Sequence, residues 1–181
     1  MRKINEIFYS LQGEGYYTGT PAVFVRFSGC NLECDFCDTL HEEGTMMTDD
    51  EILDRVGQYP ARTVVLTGGE PSLQIDDELI RRLHAAGKYV TIETNGTHPV
   101  PTAIDWVTCS PKAGTKLRVG RMDEVKVVYR GQDVDAYASL PAKHFFLQPC
   151  SGGNIAETVE RVMGDPRWRL SLQTHKLIDI R

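Results

Sequence analysis

The sequence predicts an α/β protein, a partial (incomplete) β/α barrel with mostly parallel strands and a reduced helix set. Short segments rich in β-branched and aromatic residues alternate with amphipathic helical segments, a pattern typical of right-handed strand–helix–strand units. The later links, 99–103 and 111–122, leave too few full helices for a closed eight-fold barrel. Polar, glycine-rich segments follow most of the predicted strands, which indicates a ligand site at the C-terminal strand ends.

Seven strands are predicted from short β-rich segments bounded by Gly or Pro. They cover 22–27, 62–67, 88–94, 104–110, 123–129, 143–148 and 168–173.

Three amphipathic helices are predicted between some of these strands. The first begins after Thr48, which forms a capping-box pattern with Glu51. The second covers 76–86 and stops at Gly87, and the third begins near Asn154. Their buried faces are expected to contain Ile52, Leu53 and Val56, then Leu79, Ile80 and Leu83, then Ile155, Val159 and Val162.

Length and composition predict one globular domain over 1–181, with 41% apolar and 25% charged residues. A net charge of -5 disfavours a nucleic-acid-binding surface, which needs clustered Lys and Arg. The first fifteen residues lack the apolar segment of a secretory signal, and no apolar run is long enough to span a membrane. We therefore expect a protein of the reducing cytoplasm, where thiols more often bind metal or do chemistry than form disulfides.

Three cysteines lie within eleven residues of "GCNLECDFCDT", at Cys30, Cys34 and Cys37. A structural zinc site needs four ligands, and a disulfide framework needs an even number of cysteines in a secreted chain. Three thiolates fit a 4Fe–4S cluster whose fourth iron stays open to a substrate or cofactor. Cys109 and Cys150 are expected to be small packing residues.

Polar segments follow four further strands. They read "TGGEP" at 67–71, "ETNG" at 93–96, "CSPK" at 109–112 and "QPCSG" at 148–152. "TNG" alone is a weak signal because Asn-Gly is a common turn, and the glycines of "GGEP" alone could merely permit one. Together they surround one end of the sheet.

The CxxxCxxC loop after the first predicted strand and the Gly-Gly-Glu-Pro turn after the second resemble those of the radical S-adenosylmethionine enzymes. The resemblance implies that the open iron chelates the methionyl amine and carboxylate of the cofactor. It also implies that the backbone of Gly68, Gly69 and Glu70 meets the methionyl ammonium.

Within that superfamily, "FYSLQGEG" at 8–15, Arg26, "SPK" at 110–112 and "SLQTHKLIDIR" at 171–181 resemble the 7-carboxy-7-deazaguanine synthases. The likeness extends from Ile7 to the last residue. It implies ring contraction of 6-carboxy-5,6,7,8-tetrahydropterin to 7-carboxy-7-deazaguanine with loss of ammonia, in queuosine or 7-deazapurine biosynthesis. It also implies a homodimer and an electron donor such as flavodoxin. Some members carry a long insertion between the first two cysteines, and this chain has the short version.

The same resemblance implies a role for individual residues. The cluster ligands would be Cys30, Cys34 and Cys37. The S-adenosylmethionine site would contain Phe36, Asp38, Gly69, Ser110, Pro111, Lys112 and Gln148. The pterin site would contain Leu11, Gln12, Gly13, Glu14, Arg26, Thr67, Glu93, His175 and the carboxylate of Arg181. Thr39 would bind Mg²⁺ together with substrate oxygens.

Simpler interpretations of single residues remain open. Glu14 and Arg26 could form a surface ion pair, and His175 could lie on an edge strand. Lys112 could be a solvated lysine, and Thr39 could cap the cysteine loop. Glu93 needs a partner under any interpretation, because it should be partly buried.

Two other functions are consistent with part of this pattern. One is a small activase that places a glycyl radical on a partner protein, since such chains are short and carry CxxxCxxC. The other is a non-enzymatic iron–sulfur or zinc-binding module. The "LQGEG" and "QTHK" segments favour instead a small planar substrate enclosed on several sides.

Overall fold

A computed structural model describes residues 1–181, which form nine strands and four helices. The strands are β1 (Arg2–Leu11), β2 (Pro21–Phe27), β3 (Thr45–Met47), β4 (Thr63–Gly68), β5 (Tyr89–Thr94), β6 (Trp106–Cys109), β7 (Glu124–Tyr129), β8 (His144–Pro149) and β9 (Arg169–Leu170). The helices are α1 (Asp49–Gly57), α2 (Asp77–Ala85), α3 (Ile155–Gly164) and α4 (Thr174–Leu177).

All nine strands form one open sheet in the order β3-β1-β2-β4-β5-β6-β7-β8-β9. The neighbours from β2 to β9 are parallel, whereas β1 is antiparallel to both β2 and β3. The two ends of the sheet do not pair with each other, so the predicted partial barrel is confirmed.

The seven predicted strands are all present, although β9 is only two residues long. The antiparallel β1 and the short β3 were not predicted. In β1 the buried positions include Arg2 as well as Ile4 and Phe8, and Glu6 lies between them. The pairing register of β1 also shifts between Ile4 and Glu6, so Ile4 packs in the main core and Phe8 in a second cluster. This irregularity breaks the alternation that marks a half-buried strand.

Helices α1 and α2 agree with the prediction. Thr48 and Glu51 form the capping box: the Thr48 hydroxyl accepts from the Glu51 backbone N–H, and the Glu51 carboxylate accepts from that of Thr48. Ile52 is fully buried and Leu53 is partly buried. The apolar face of α2 is fully buried, and the chain leaves that helix through Gly87, whose φ is +74°.

The prediction for the buried face of α3 is confirmed only for Val162, which packs against the main core. Ile155 is 38% exposed, Val159 and Val162 are only partly buried, and Thr158 is the fully buried residue of the helix. The reason is tertiary, because α3 packs on β8 and β9 at the edge of the sheet. The two-residue β9 offers too little surface to cover an apolar stripe.

The main core lies between the sheet and helices α1 and α2. Its largest fully buried members include Phe27, Ile52, Leu66 and Ile92. Alternate residues of the same strands point to the opposite face, where the sheet carries polar groups. The helices are too short, and not apolar enough, for any of them to cross a membrane.

Candidate active site

One large cavity of about 330 Å³ lies on the face of the sheet opposite α1 and α2. The site residues implied by the resemblance line it, except Glu70 and Pro111, which are buried beside it in the turns after β4 and β6. The strands contribute Arg26, Thr67, Glu93 and Gln148. The structure thus brings the proposed cluster, cofactor and substrate residues to one place, and their individual roles remain predictions.

The cysteine loop forms one wall of this cavity. Cys30 and Cys34 are partly buried, Cys37 is exposed, and all three thiols are free. No three His, Cys, Asp or Glu side chains of the chain are gathered closely enough to hold a single metal ion. A cubane does not require that, because each thiolate binds a different iron atom. Three free thiols on one loop of one cavity therefore fit a 4Fe–4S cluster.

The Gly-Gly-Glu turn lies directly against the start of the cysteine loop. The Glu70 backbone N–H donates to the carbonyl oxygen of Gly29 at 2.9 Å. A Cβ on Gly69 would lie 2.1 Å from that same oxygen, and Gly68 has a φ of +124°. The two glycines are therefore needed for the close approach of two backbone segments.

The side chain of Glu70 is fully buried and does not face the cavity. Its carboxylate accepts from the Thr94 hydroxyl at 2.6 Å and from the backbone N–H groups of Asn95 at 2.7 Å and Ser72 at 3.1 Å. It therefore ties the turn after β4 to the end of β5. The Asn95 amide continues the connection to the cysteine loop by donating to Asn31 at 3.1 Å.

Phe36, in the middle of the cysteine loop, lies between two cations. The Arg130 guanidinium is 4.9 Å and the Lys112 ammonium 5.8 Å from the centre of its ring. Arg130 also forms a two-point ion pair with Asp35 at 2.8 and 2.9 Å.

Burial lowers the pKa of Lys112, whose ammonium donates to the Ser110 hydroxyl at 2.7 Å. The interpretation of Lys112 as a solvated lysine is therefore wrong.

An amide bridges the proposed cofactor and substrate residues. The Gln173 side-chain N–H₂ donates to Glu14 at 2.9 Å and to Asp38 at 3.0 Å. Lys176 donates to the same Asp38 carboxylate at 2.7 Å. Neither Gln173 nor Lys176 was singled out in the sequence, although both lie in the "QTHK" segment that was.

Lys126 joins the two glutamates of the proposed pterin site. Its ammonium lies 2.6 Å from a carboxylate oxygen of Glu14 and 2.8 Å from one of Glu93. Lys126 is only 4% exposed, and Gln12 donates to Glu93 at 3.3 Å. Burial raises the pKa of Glu93 to about 7, against the attraction of Lys126. For Glu14, burial is outweighed by Lys126 and its hydrogen bonds, so its pKa is lowered.

Lys126 was the main residue missed in the sequence. A signal was present, because the lysine in the middle of "EVKVVY" lies between valines in a strand of a parallel sheet. A charge at such a position needs a buried partner. The partners, Glu14 and Glu93, are 112 and 33 residues away in sequence.

Arg26 pairs with Glu6 at 2.9 Å, not with Glu14. The interpretation of Glu14 and Arg26 as a surface ion pair is therefore wrong. Glu6 also binds the guanidinium of Arg181, and both arginines lie over the ring of Phe8, at 5.7 and 5.0 Å.

His175 lies on α4 and not on an edge strand. A Cβ on Gly13 would lie 2.0 Å from its ring Nδ1, so the imidazole packs directly on that glycine. The Thr174 N–H and hydroxyl both donate to the Gly13 carbonyl, at 2.9 and 3.0 Å. Because Gly13 has no side chain, the His175 ring can pack directly against it and lie over the cavity.

Thr39 and Cys150 also line the cavity, whereas Cys109 is fully buried in the main core. The Thr39 carbonyl accepts from the Cys37 thiol at 3.6 Å, and its hydroxyl caps no backbone group. Burial raises the pKa of the Cys109 thiol to about 12, which agrees with a packing role.

Comparison with known proteins separates the possibilities that the geometry leaves open. Residues 24–138 match the family model of the radical SAM superfamily. A 7-carboxy-7-deazaguanine synthase from Bacteroides thetaiotaomicron is 76% identical over 181 residues, covering all of both chains. The chain belongs to the 7-carboxy-7-deazaguanine synthase family. It is thus an enzyme of the radical SAM superfamily, and the glycyl-radical activase and the non-enzymatic module are excluded.

More distant members of the 7-carboxy-7-deazaguanine synthase family support the same assignment. The Bordetella pertussis enzyme is 43% identical over 205 aligned positions, which cover 98% of each chain. The crystal structure of QueE from Escherichia coli matches with a TM-score of 0.80 and 34% identity, covering 94% of this chain and 93% of that one.

Proposed function

We propose that this member of the family contracts the ring of 6-carboxy-5,6,7,8-tetrahydropterin to 7-carboxy-7-deazaguanine, with loss of ammonia. The observation that carries the proposal is the composition of the cavity. Three free thiols lie on one of its walls, and two glutamates held by a buried lysine lie in its floor. The product is inferred from the name of the relatives, and the cavity is lined by the residues proposed for both the cofactor and the substrate.

Cys30, Cys34 and Cys37 would hold the cluster, which, once reduced, supplies the electron that cleaves S-adenosylmethionine. The contacts of Phe36 with Arg130 and Lys112 fix the loop that carries these ligands. The chain itself orients the reactants and excludes water around them.

S-adenosylmethionine would lie along the strand ends, between the cysteine loop and the residues after β6 and β8. Gly69 lines the cavity there. The Ser110 hydroxyl and the Gln148 amide offer hydrogen bonds to a nucleoside, and Phe36 offers an aromatic face. Asp38 suits hydroxyl groups of a ribose, because an ionised carboxylate only accepts.

The pyrimidine side of a pterin carries an amino group and ring N–H groups, which need acceptors when they are buried. Glu14 and Glu93 supply two carboxylates, and charge-assisted hydrogen bonds of this kind are the stronger type. At the other end, Arg26 uses only Nε for Glu6, which leaves guanidinium N–H groups for the substrate carboxylate. The ionised groups thus match the donor and acceptor ends of the pterin.

Further parts of the proposal rest on the family resemblance. Thr39 would bind Mg²⁺ together with substrate oxygens, since this ion prefers oxygen ligands. A flavodoxin would supply electrons, the compartment would be the reducing cytoplasm, and the enzyme would work as a homodimer.

The test is an anaerobic assay of the reconstituted enzyme with S-adenosylmethionine, a reductant and the carboxypterin, following the deazapurine by its absorption. Cys30→Ala should remove both the visible absorption of the cluster and turnover, whereas Cys109→Ala should keep the wild-type iron content. Release of deoxyadenosine without deazapurine from the wild type would show that the substrate is wrong. Iron binding that depends on Cys109 would show that the ligands are wrong.

A further inference from the structure

Gln173 lies between a residue proposed for the cofactor and one proposed for the substrate. Its side-chain nitrogen donates to an oxygen of Glu14 at 2.9 Å and to an oxygen of Asp38 at 3.0 Å. Asp38 follows the last cysteine of the cysteine loop, and Glu14 lies in the loop after β1. One amide thus uses both of its N–H groups to join two separate walls of the cavity.

The charges around this amide fix its orientation. Its carbonyl oxygen accepts from the ammonium of Lys176 at 2.9 Å, and Lys176 also donates to Asp38 at 2.7 Å. A flipped amide would turn its oxygen toward both carboxylates and its N–H₂ group toward the ammonium. The bridge can therefore form in one sense only.

Both carboxylates keep some capacity to accept from a ligand. Glu14 uses one oxygen for Gln173 and the other for Lys126. Gln173 and Lys176 both donate to the same oxygen of Asp38, Oδ2. An ionised carboxylate has about four lone-pair sites, so each group can hold the bridge and a ligand together.

The Asp38 end of the bridge is only partly enclosed. The side chains of Asp38 and Lys176 are 43% and 41% exposed, whereas that of Glu14 is 18% exposed. An exposed ion pair loses side-chain entropy when it is held in one geometry. A ligand that binds Asp38 therefore bears the cost of ordering the bridge, and a ligand that then binds Glu14 does not.

We propose that Gln173 is a positioning residue that makes the binding of S-adenosylmethionine and of the pterin cooperative. The inference rests on the proposed function, in which Asp38 and Glu14 contact these two ligands. Each ligand fixes one carboxylate, the shared amide transmits that order to the other, and the second ligand binds more tightly. The pterin is thus held most firmly when the cofactor is already in place.

Binding can be measured without turnover. The reconstituted enzyme is kept anaerobic and without a reductant, so that S-adenosylmethionine binds but is not cleaved. Equilibrium dialysis gives the Kd of the carboxypterin with and without saturating S-adenosylmethionine. We expect the cofactor to lower the pterin Kd about fivefold, and the pterin to lower the Kd of S-adenosylmethionine by the same factor.

Gln173→Met keeps the length of the side chain and removes its donors and its acceptor. The ratio of the two pterin Kd values should fall below about twofold, even if each separate affinity is also lower. Gln58→Met is the matched control, because Gln58 is exposed after α1 and does not line the cavity. Should Gln173→Met not fold, Gln173→Asn retains an amide that is one methylene shorter, and it should lose the cooperativity in the same way.

Two results would overturn the role of Gln173. One is a Kd ratio in Gln173→Met equal to that of the wild type, which would show that Gln173 only packs between the two loops. The other is independent binding of the two ligands by the wild type. Both would leave the substrate assignment untouched, whereas failure of the wild type to bind the carboxypterin would overturn the proposed function and this inference with it.

Discussion

At the scale of single residues, the floor of the active site depends on Lys126. It is the buried cation between Glu14 and Glu93, and both carboxylates face the main cavity. Buried ion pairs add little compared with apolar residues of the same size, but removal of one partner leaves a buried charge without compensation. The arrangement therefore fixes two hydrogen-bond acceptors for a substrate, and it makes the protein sensitive to substitution of Lys126.

Lys126→Met should lower the free energy of unfolding by about 3–5 kcal/mol, because Glu14 and Glu93 lose their shared partner. Denaturant unfolding of the reconstituted protein measures the change. The control is Lys116→Met at an exposed lysine, which should shift stability by less than about 0.5 kcal/mol. Equal losses in the two variants would contradict the role of Lys126.

The raised pKa of Glu93 predicts that pterin binding depends on pH. Its pKa is raised to about 7 by burial, so the carboxylate that accepts from pterin N–H groups is protonated as the pH falls through that value. Affinity for the pterin should therefore fall between about pH 8 and about pH 6. Anaerobic equilibrium dialysis measures it, and Glu93→Gln should bind more weakly with this part of the dependence removed. A pH profile identical in both proteins would assign the titration to another group.

At the scale of elements, the cysteine loop is irregular backbone held by contacts with the strand ends. Gly29 and Glu70 join it to the turn after β4, and Asn31 joins it to the end of β5. Arg130, just beyond β7, adds the ion pair to Asp35 and the contact with Phe36. The loop is thus fixed from three neighbouring parts of the sheet.

Arg130→Gln should release one of these contacts and speed the loss of iron from the reconstituted enzyme. Both partners of the ion pair are exposed, so the effect should be modest, about two- to fivefold in rate. Decay of the visible absorption in the presence of a chelator measures it. Arg81→Gln, which breaks an exposed ion pair on α2, is the control. The same rate in both variants would show that Arg130 does not hold the loop.

Helix α4 and the loop after β1 are coupled through Gly13. Gly13→Ala would place a methyl group into the His175 ring, so the ring and α4 must move away from the cavity. We expect weaker pterin binding, with cluster content and deoxyadenosine release retained. Gly120→Ala is the control, because no atom lies within 4 Å of a Cβ there. Unchanged pterin affinity in Gly13→Ala would mean that His175 does not contact the substrate.

At the scale of the whole molecule, the sheet is open and leaves apolar side chains exposed near its first strands and the C-terminal segment. Tyr9 is 42% exposed, and Leu177 and Ile178 are 62% and 58% exposed. Exposed apolar surface and unpaired strand edges are features that a second subunit can cover. They agree with the homodimer that the family resemblance implies.

We expect sedimentation equilibrium at micromolar concentration to give a mass of twice 20.3 kDa. Leu177→Lys should shift the protein toward the single chain if this segment forms the interface. Leu40→Lys, on the cysteine loop and 92% exposed, is the control for an added lysine. A wild-type species of 20.3 kDa alone would contradict the dimer.

The sequence by itself determined those features that depend only on residues close together in the chain. The capping box of α1, the buried face of α2, seven strands and the three-cysteine loop all follow from patterns within about a dozen residues. Parallel pairing then places the ends of those strands at one edge, which is why most implied site residues line one cavity.

Only the tertiary structure decided which charged groups meet. Glu14 pairs with Lys126 across 112 residues, and Gln173 reaches Glu14 across 159, so no local pattern records these contacts. The exposed face of α3 is also tertiary, because it depends on the shortness of β9 beneath it. Glu124 reads in the sequence as an ordinary polar start to a strand. The tertiary structure buries it, because the chain around Gly15 and Tyr16 folds back over it and the Tyr16 N–H donates to its carboxylate.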